Sequence, residues 1–150
     1  MTGKIVCYHP EVPEGIYIVK YIGYETGISW NSKKVTVKFS IAQGKYEGMP
    51  LVRYYNAITL ENPIGANGVY TVGDLGYLVK EFRTLFPSIQ ATSEIDLNLY
   101  KDKLIRVEVE TVNKTGVGEE LSKSNCYSVI RRLIEIVPES FEADSLSKLG

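Results

Sequence analysis

Val35-Thr36-Val37-Lys38-Phe39-Ser40-Ile41-Ala42 alternates large apolar residues with polar or small ones at period two. That is the pattern of a β-strand with one face in a core and the other toward solvent. Val35, Val37, Phe39 and Ile41 take the inner face, and Thr36, Lys38 and Ser40 look outward. Directly after it, Gln43-Gly44-Lys45-Tyr46-Glu47-Gly48 supplies two glycines in six residues, which suits a turn needing positive φ. Residues 51–58 then resume strand composition, and the two strands are expected to pair.

Upstream, Pro13-Glu14-Gly15 announces a strand over residues 16–22, with Ile16, Ile18 and Ile22 on one face and Tyr17, Val19 and Tyr21 on the other. Two apolar faces imply a strand covered on both sides or set in the wall of a small barrel. Downstream, past a loop containing Pro63, Gly65, Asn67 and Gly68, the period changes over residues 74–86. Leu75, Leu78, Phe82, Leu85 and Phe86 share one helical face, Asp74 is the candidate N-cap and Pro87 ends the run. Residues 88–101 carry little pattern. Alternation returns over residues 104–112, with Ile105, Val107 and Val109 against Arg106, Glu108 and Glu110. A fifth strand over residues 125–137 places Tyr127, Val129 and Leu133 on one face and Ile130, Ile134 and Ile136 on the other.

Three strands, a helix and two more strands predict a mainly β fold: a five-stranded Greek-key barrel of the oligonucleotide-binding (OB) type, with one helix between strands three and four. Length, with 150 residues and 44% hydrophobic content, points to a single core. Residues 1–137 are expected to form the barrel domain with an N-terminal arm, and residues 138–150 an acidic, flexible tail.

Composition excludes several chemistries. The only histidine, His9, lies in the arm, so a Ser-His-Asp or Cys-His nucleophile has no base beside it. Cys7 and Cys126 stand at opposite ends and read as reduced thiols; with one histidine they cannot assemble a zinc site. Glu108 with Glu110, and Glu119 with Glu120, read as solvated carboxylates rather than as acid–base pairs. Gly65-Ala66-Asn67-Gly68 lacks the Gly-Lys-Ser/Thr ending of a phosphate loop and reads as a turn. No catalytic residue, metal site or cofactor is expected, and the protein is not read as an enzyme. With no apolar run long enough for a membrane span and no signal-peptide pattern, it is expected to be cytoplasmic.

Residues 1–137 hold 16 Lys/Arg and 15 Asp/Glu, and residues 138–150 one Lys and three acids. Bulk charge therefore cannot drive nucleic-acid binding, which would need a local basic groove helped by stacking. In OB barrels the face of strands two and three, with the loops joining strands one to two and four to five, is the binding surface. Here the first of those loops, residues 24–34, offers Trp30, Lys33 and Lys34; the strands offer Lys38, Arg53 and Tyr54; and the last loop offers Lys114 and Lys123. Aromatic faces stack bases and cations hold phosphates, so these eight residues are the candidate nucleic-acid-binding set. Of Tyr54 and Tyr55 only one can face outward, because successive strand residues take opposite faces.

Pro13-Glu14-Gly15-Ile16-Tyr17, then Ala42-Gln43-Gly44-Lys45-Tyr46-Glu47-Gly48 and residues 51–56, resemble the N-terminal half of small OB-fold-like proteins of phages and mobile elements. The resemblance is strongest over residues 13–58 and implies single-stranded DNA or RNA as ligand, in replication or recombination. It also implies an acidic tail that recruits replication or recombination proteins, and leaves a homo-oligomer open. The alternative is a protein-interaction module, an adaptor or an inhibitor of a host system, using the eleven tyrosines as anchors.

Overall fold

The computed structural model describes residues 12–29, 31–89, 94–112 and 127–138. Its elements in chain order are β1 (Gly15–Ser29), β2 (Ser32–Ile41), β3 (Pro50–Asn56), β4 (Thr59–Leu60), β5 (Tyr70–Thr71), α1 (Tyr77–Leu85), a 3-10 turn (Leu97–Tyr100), β6 (Leu104–Val112) and β7 (Tyr127–Ile136). Five strands make one antiparallel sheet in the order β3-β2-β1-β6-β7, and β4 with β5 forms a separate ribbon. His9, Cys7, Cys126 and residues 139–150 of the acidic tail lie outside the described residues.

The period-two segments become the centre of the sheet. Val35, Val37, Phe39 and Ile41 of β2 are buried, and so are Ile105, Val107 and Val109 of β6. The β2–β3 turn uses Gly44 and Gly48 at φ 88° and 89°, a conformation that costs other residues a Cβ clash.

Periodicity alone ends the first strand at Ile22, whereas β1 continues to Ser29. A bulge between Tyr21 and Gly23 shifts the register by one and hides the continuation. It keeps Tyr21 and Tyr24 on the inner side, opposite Phe39 and Val37. The inner face of β1 is thus Tyr17, Val19, Tyr21, Tyr24 and Thr26, while Ile16 and Ile22 are 55% and 59% exposed. Residues 24–34 are consequently not a loop: Ser29 pairs with Ser32, and Asn31 takes φ 60°.

Bulges also break the alternation of β7. Register shifts opposite Arg106/Val107 and Glu108/Val109 put Ile130 and Leu133 in register with the inner residues Val109 and Val107, and leave Arg131 and Arg132 both exposed. Tyr127, Val129 and Leu133 therefore do not share one face. Ser128 Oγ accepts from Val12 N–H at 2.8 Å and donates to Val12 O at 3.0 Å, which docks the chain ahead of β1 onto β7.

The helix begins three residues later than its periodicity suggests. Gly76 N–H bonds Gly73 O at 3.0 Å, so Asp74 and Leu75 lie in a turn, and Leu75 is exposed. Gly76, not Asp74, is the N-cap, without a side-chain bond. The buried stripe of α1 is Leu78, Val79, Glu81, Phe82 and Leu85. In the weakly patterned region, the 3-10 turn delivers Tyr100 to the core, where its ring meets Tyr21, Phe82 and Phe86.

Backbone ladders stop at β3 and β7, so hydrogen bonding between strands does not close a barrel among the described residues. These two edges nonetheless come within 8 Å, and α1 packs on β7. One side chain ties the three together. The Glu81 carboxylate, 7% exposed, accepts from Arg53 Nε at 3.2 Å, Arg53 Nη2 at 2.7 Å, Tyr55 Oη at 3.1 Å and Leu133 N–H at 2.7 Å. Burial alone would lower the Arg53 pKa, but the bonds and charge of Glu81 outweigh it and hold the guanidinium above its usual value. A buried charge with four donors is stable; one stripped of its partner is not. Glu81→Ala is expected to lose about 3–5 kcal/mol of unfolding free energy in urea titrations.

Candidate nucleic-acid interface

Strand parity divides the candidate residues. On β3, Leu51, Arg53 and Tyr55 register with the inner residues Phe39, Val37 and Val35 of β2. Arg53 therefore turns inward to Glu81 with only 13% of its side chain exposed, and does not join the outer surface. Tyr55 is buried and Tyr54 faces out.

The outer face is a grid fixed by register. Lys34 lies between Gly27 of β1 and Asn56 of β3, Thr36 between Glu25 and Tyr54, and Lys38 between Gly23 and Val52. Gly23 and Gly27 meet nothing within 4 Å at the Cβ position, so the two lysines have open ground beside them. Four residues of strand separate Lys34 from Lys38, roughly 13 Å at the usual rise. Lys34 Nζ donates to the neutral Asn56 Oδ1, so no carboxylate offsets its charge in that bond. Lys38 pairs with Glu25 at 3.2 Å with both side chains about half exposed, a contact worth about 0–1 kcal/mol. An incoming phosphate can compete with it.

Lys33 has the opposite parity, opposite Ile28, and reaches Ile58 O at 3.4 Å; it does not belong to this grid. Trp30, Lys114 and Lys123 lie outside the described residues. The structure thus brings together Lys34, Lys38 and Tyr54 and removes Lys33 and Arg53. At the β6–β7 end of the sheet the basic residues are matched by acids: Arg106 with Glu135, and Arg131 and Arg132 with Glu108. The bond from Arg132 is the main reason the Glu108 carboxyl is held below its usual value.

Sequence inspection alone passes over Asn56, Tyr77 and Lys80. Beside Tyr54, a cleft of about 290 Å³ opens between β3 and the start of α1, with Lys34, Asn56 and Tyr77 in its wall. Tyr77 is 71% exposed, and its ring centroid lies 5.9 Å from the Arg53 guanidinium carbon and 5.6 Å from Lys80 Nζ. The available signal was position: Tyr77 adjoins Leu78 but falls outside the apolar stripe of α1. A larger cavity of about 470 Å³ lies between the β4–β5 ribbon and α1, lined in part by Tyr24, Tyr70, Phe82 and Arg83.

Among the described residues no group of three or more His, Cys, Asp or Glu could hold a metal ion, and no helix is long and apolar enough to cross a membrane. No known protein family, curated protein or solved structure matches the chain.

The tyrosines below the face are held neutral. Burial, the main cause, pushes Tyr55, Tyr70 and Tyr100 far above the ordinary phenol range; for Tyr55 and Tyr100 the next cause is the nearby Glu81 charge. A folded pKa above the unfolded one leaves stability intact below the unfolded value and removes it as pH rises through the folded value. Unfolding free energy is therefore expected to fall steadily above about pH 10, with phenolate absorbance from these rings appearing only as the protein unfolds.

Proposed function

We propose that the chain is an OB-type barrel that binds single-stranded nucleic acid across the outer face of β2 and β3, in replication or recombination. Support for the fold comes from the strand order, in which a long bulged β1 pairs with β2 on one side and β6 on the other, and from α1 preceding β6. This is the arrangement expected of a five-stranded, partly open Greek-key barrel, whose second and third strands present the ligand face. The observation that carries the function is the grid itself. Lys34 and Lys38 share one open face with the outward Tyr54, and the glycines of β1 leave them uncovered.

Cations at that spacing suit phosphates two nucleotides apart on an extended strand, and Tyr54 offers a ring to a base, which contributes roughly 1–3 kcal/mol. Burial of the Tyr54 ring against the sheet is the first cause of its raised pKa, with Tyr127 and Glu25 adding to it, so it stays neutral. Trp30, Lys114 and Lys123 remain candidates for the flanking contacts. The abundance of tyrosine, which favours a protein-binding module, is met largely by the interior: Tyr55 and Tyr100 are buried, and Tyr17, Tyr21, Tyr24, Tyr46 and Tyr70 pack against the core.

Fluorescence anisotropy with labelled oligo-dT and a matched duplex tests the proposal. Binding is expected to be stronger for the single strand and to weaken with salt. The Lys34→Gln/Lys38→Gln variant is expected to bind more weakly and to reduce the slope of log K against log[salt] by about 1.4, two single-strand phosphate contacts. Wild-type affinity and slope in that variant would overturn the assigned face.

A further inference from the structure

We propose that the nucleic-acid path leaves the β2–β3 face at Tyr54 and enters the cleft between β3 and α1, where one nucleotide stacks its base on Tyr77 and sets its phosphate on Lys34. This rests on the function proposed above and extends the contact surface from the sheet to the helix. Three observations carry it.

The cleft and the face are continuous, since Lys34, Tyr54 and Asn56 belong to both. The lining is also one-signed. Lys34 and Arg53 border the cleft, with no carboxylate among the described residues that line it. Arg53 is committed to Glu81, which leaves Lys34 to meet a phosphate, with Lys80 next to the ring of Tyr77.

Tyr77 itself has no packing role that accounts for its place. It opens α1 outside the buried stripe, and its ring is exposed with two cations within 6 Å of its centroid. An exposed ring with cations close by is the arrangement by which single-strand binders combine stacking with phosphate attraction. The size of the cleft limits the occupant. At about 290 Å³ it is at the lower end of small-molecule sites, which suits one nucleotide unit of a longer chain.

The test is a length series of oligo-dT titrated against wild type, Tyr77→Ala and Tyr77→Phe. Because Tyr77 is exposed, both variants are expected to fold, and circular dichroism checks this. The expected result is roughly ten-fold weaker binding for Tyr77→Ala, from one lost stacking contact. Its affinity should also level off at a shorter oligonucleotide, while Tyr77→Phe behaves as wild type. If Tyr77→Ala matches wild type in affinity and in minimal length while wild type binds single strands, the cleft is wrong and the β2–β3 face stands. If wild type binds no oligonucleotide of any length, both fall together.

Discussion

The buried carboxylate of Glu81 is the constraint on which the rest of the structure depends. Four donors converge on it from two edge strands, β3 and β7, that share no backbone ladder. A backbone ladder would have satisfied the edge groups by itself; here a helix side chain supplies the acceptor, so α1 fixes how β3 meets β7. The alternative, an unpaired buried guanidinium or carboxylate, costs several kcal/mol. The same bond sets the parity of β3. With Arg53 and Tyr55 drawn inward to Glu81, Tyr54 and Asn56 must face out beside Thr36 and Lys34. The candidate surface follows from an interaction on the other side of the sheet.

That dependence explains which parts of the fold were legible. β2 and β6 follow period two without interruption, and their inner residues can be read directly from the sequence. β1 and β7 carry bulges, and a single extra residue reverses every face beyond it. Gly23 and Gly27 interrupt the apolar pattern in the second half of β1, and in the sheet they are positions where a side chain is left out beside a lysine. Asp74 is a good capping residue by type, but the turn closed by Gly73 and Gly76 decides where α1 begins.

Arg53 is the most instructive of the candidate residues. By composition an arginine on a strand next to two tyrosines suggests a phosphate contact. It shares the parity of Leu51 and Tyr55, and Glu81 falls three residues after Leu78 on the apolar stripe of the helix. One charge of each sign on two buried faces signals an internal pair. Pairing between specific strands was needed to see that the two meet. Lys34, Lys38 and Tyr54 were legible as surface residues, but their common face was not, because that depends on the register between β1, β2 and β3.

The most direct measurement is an amide chemical-shift titration of the isotope-labelled protein with oligo-dT. If the β2–β3 face is the binding surface, the amides of Lys34, Thr36, Lys38, Val52 and Tyr54 shift with a common saturation curve, and those of Glu108, Arg131 and Arg132 at the β6–β7 end of the sheet stay in place. Shifts confined to β6 and β7, or none at concentrations where single-strand binders saturate, would contradict the account.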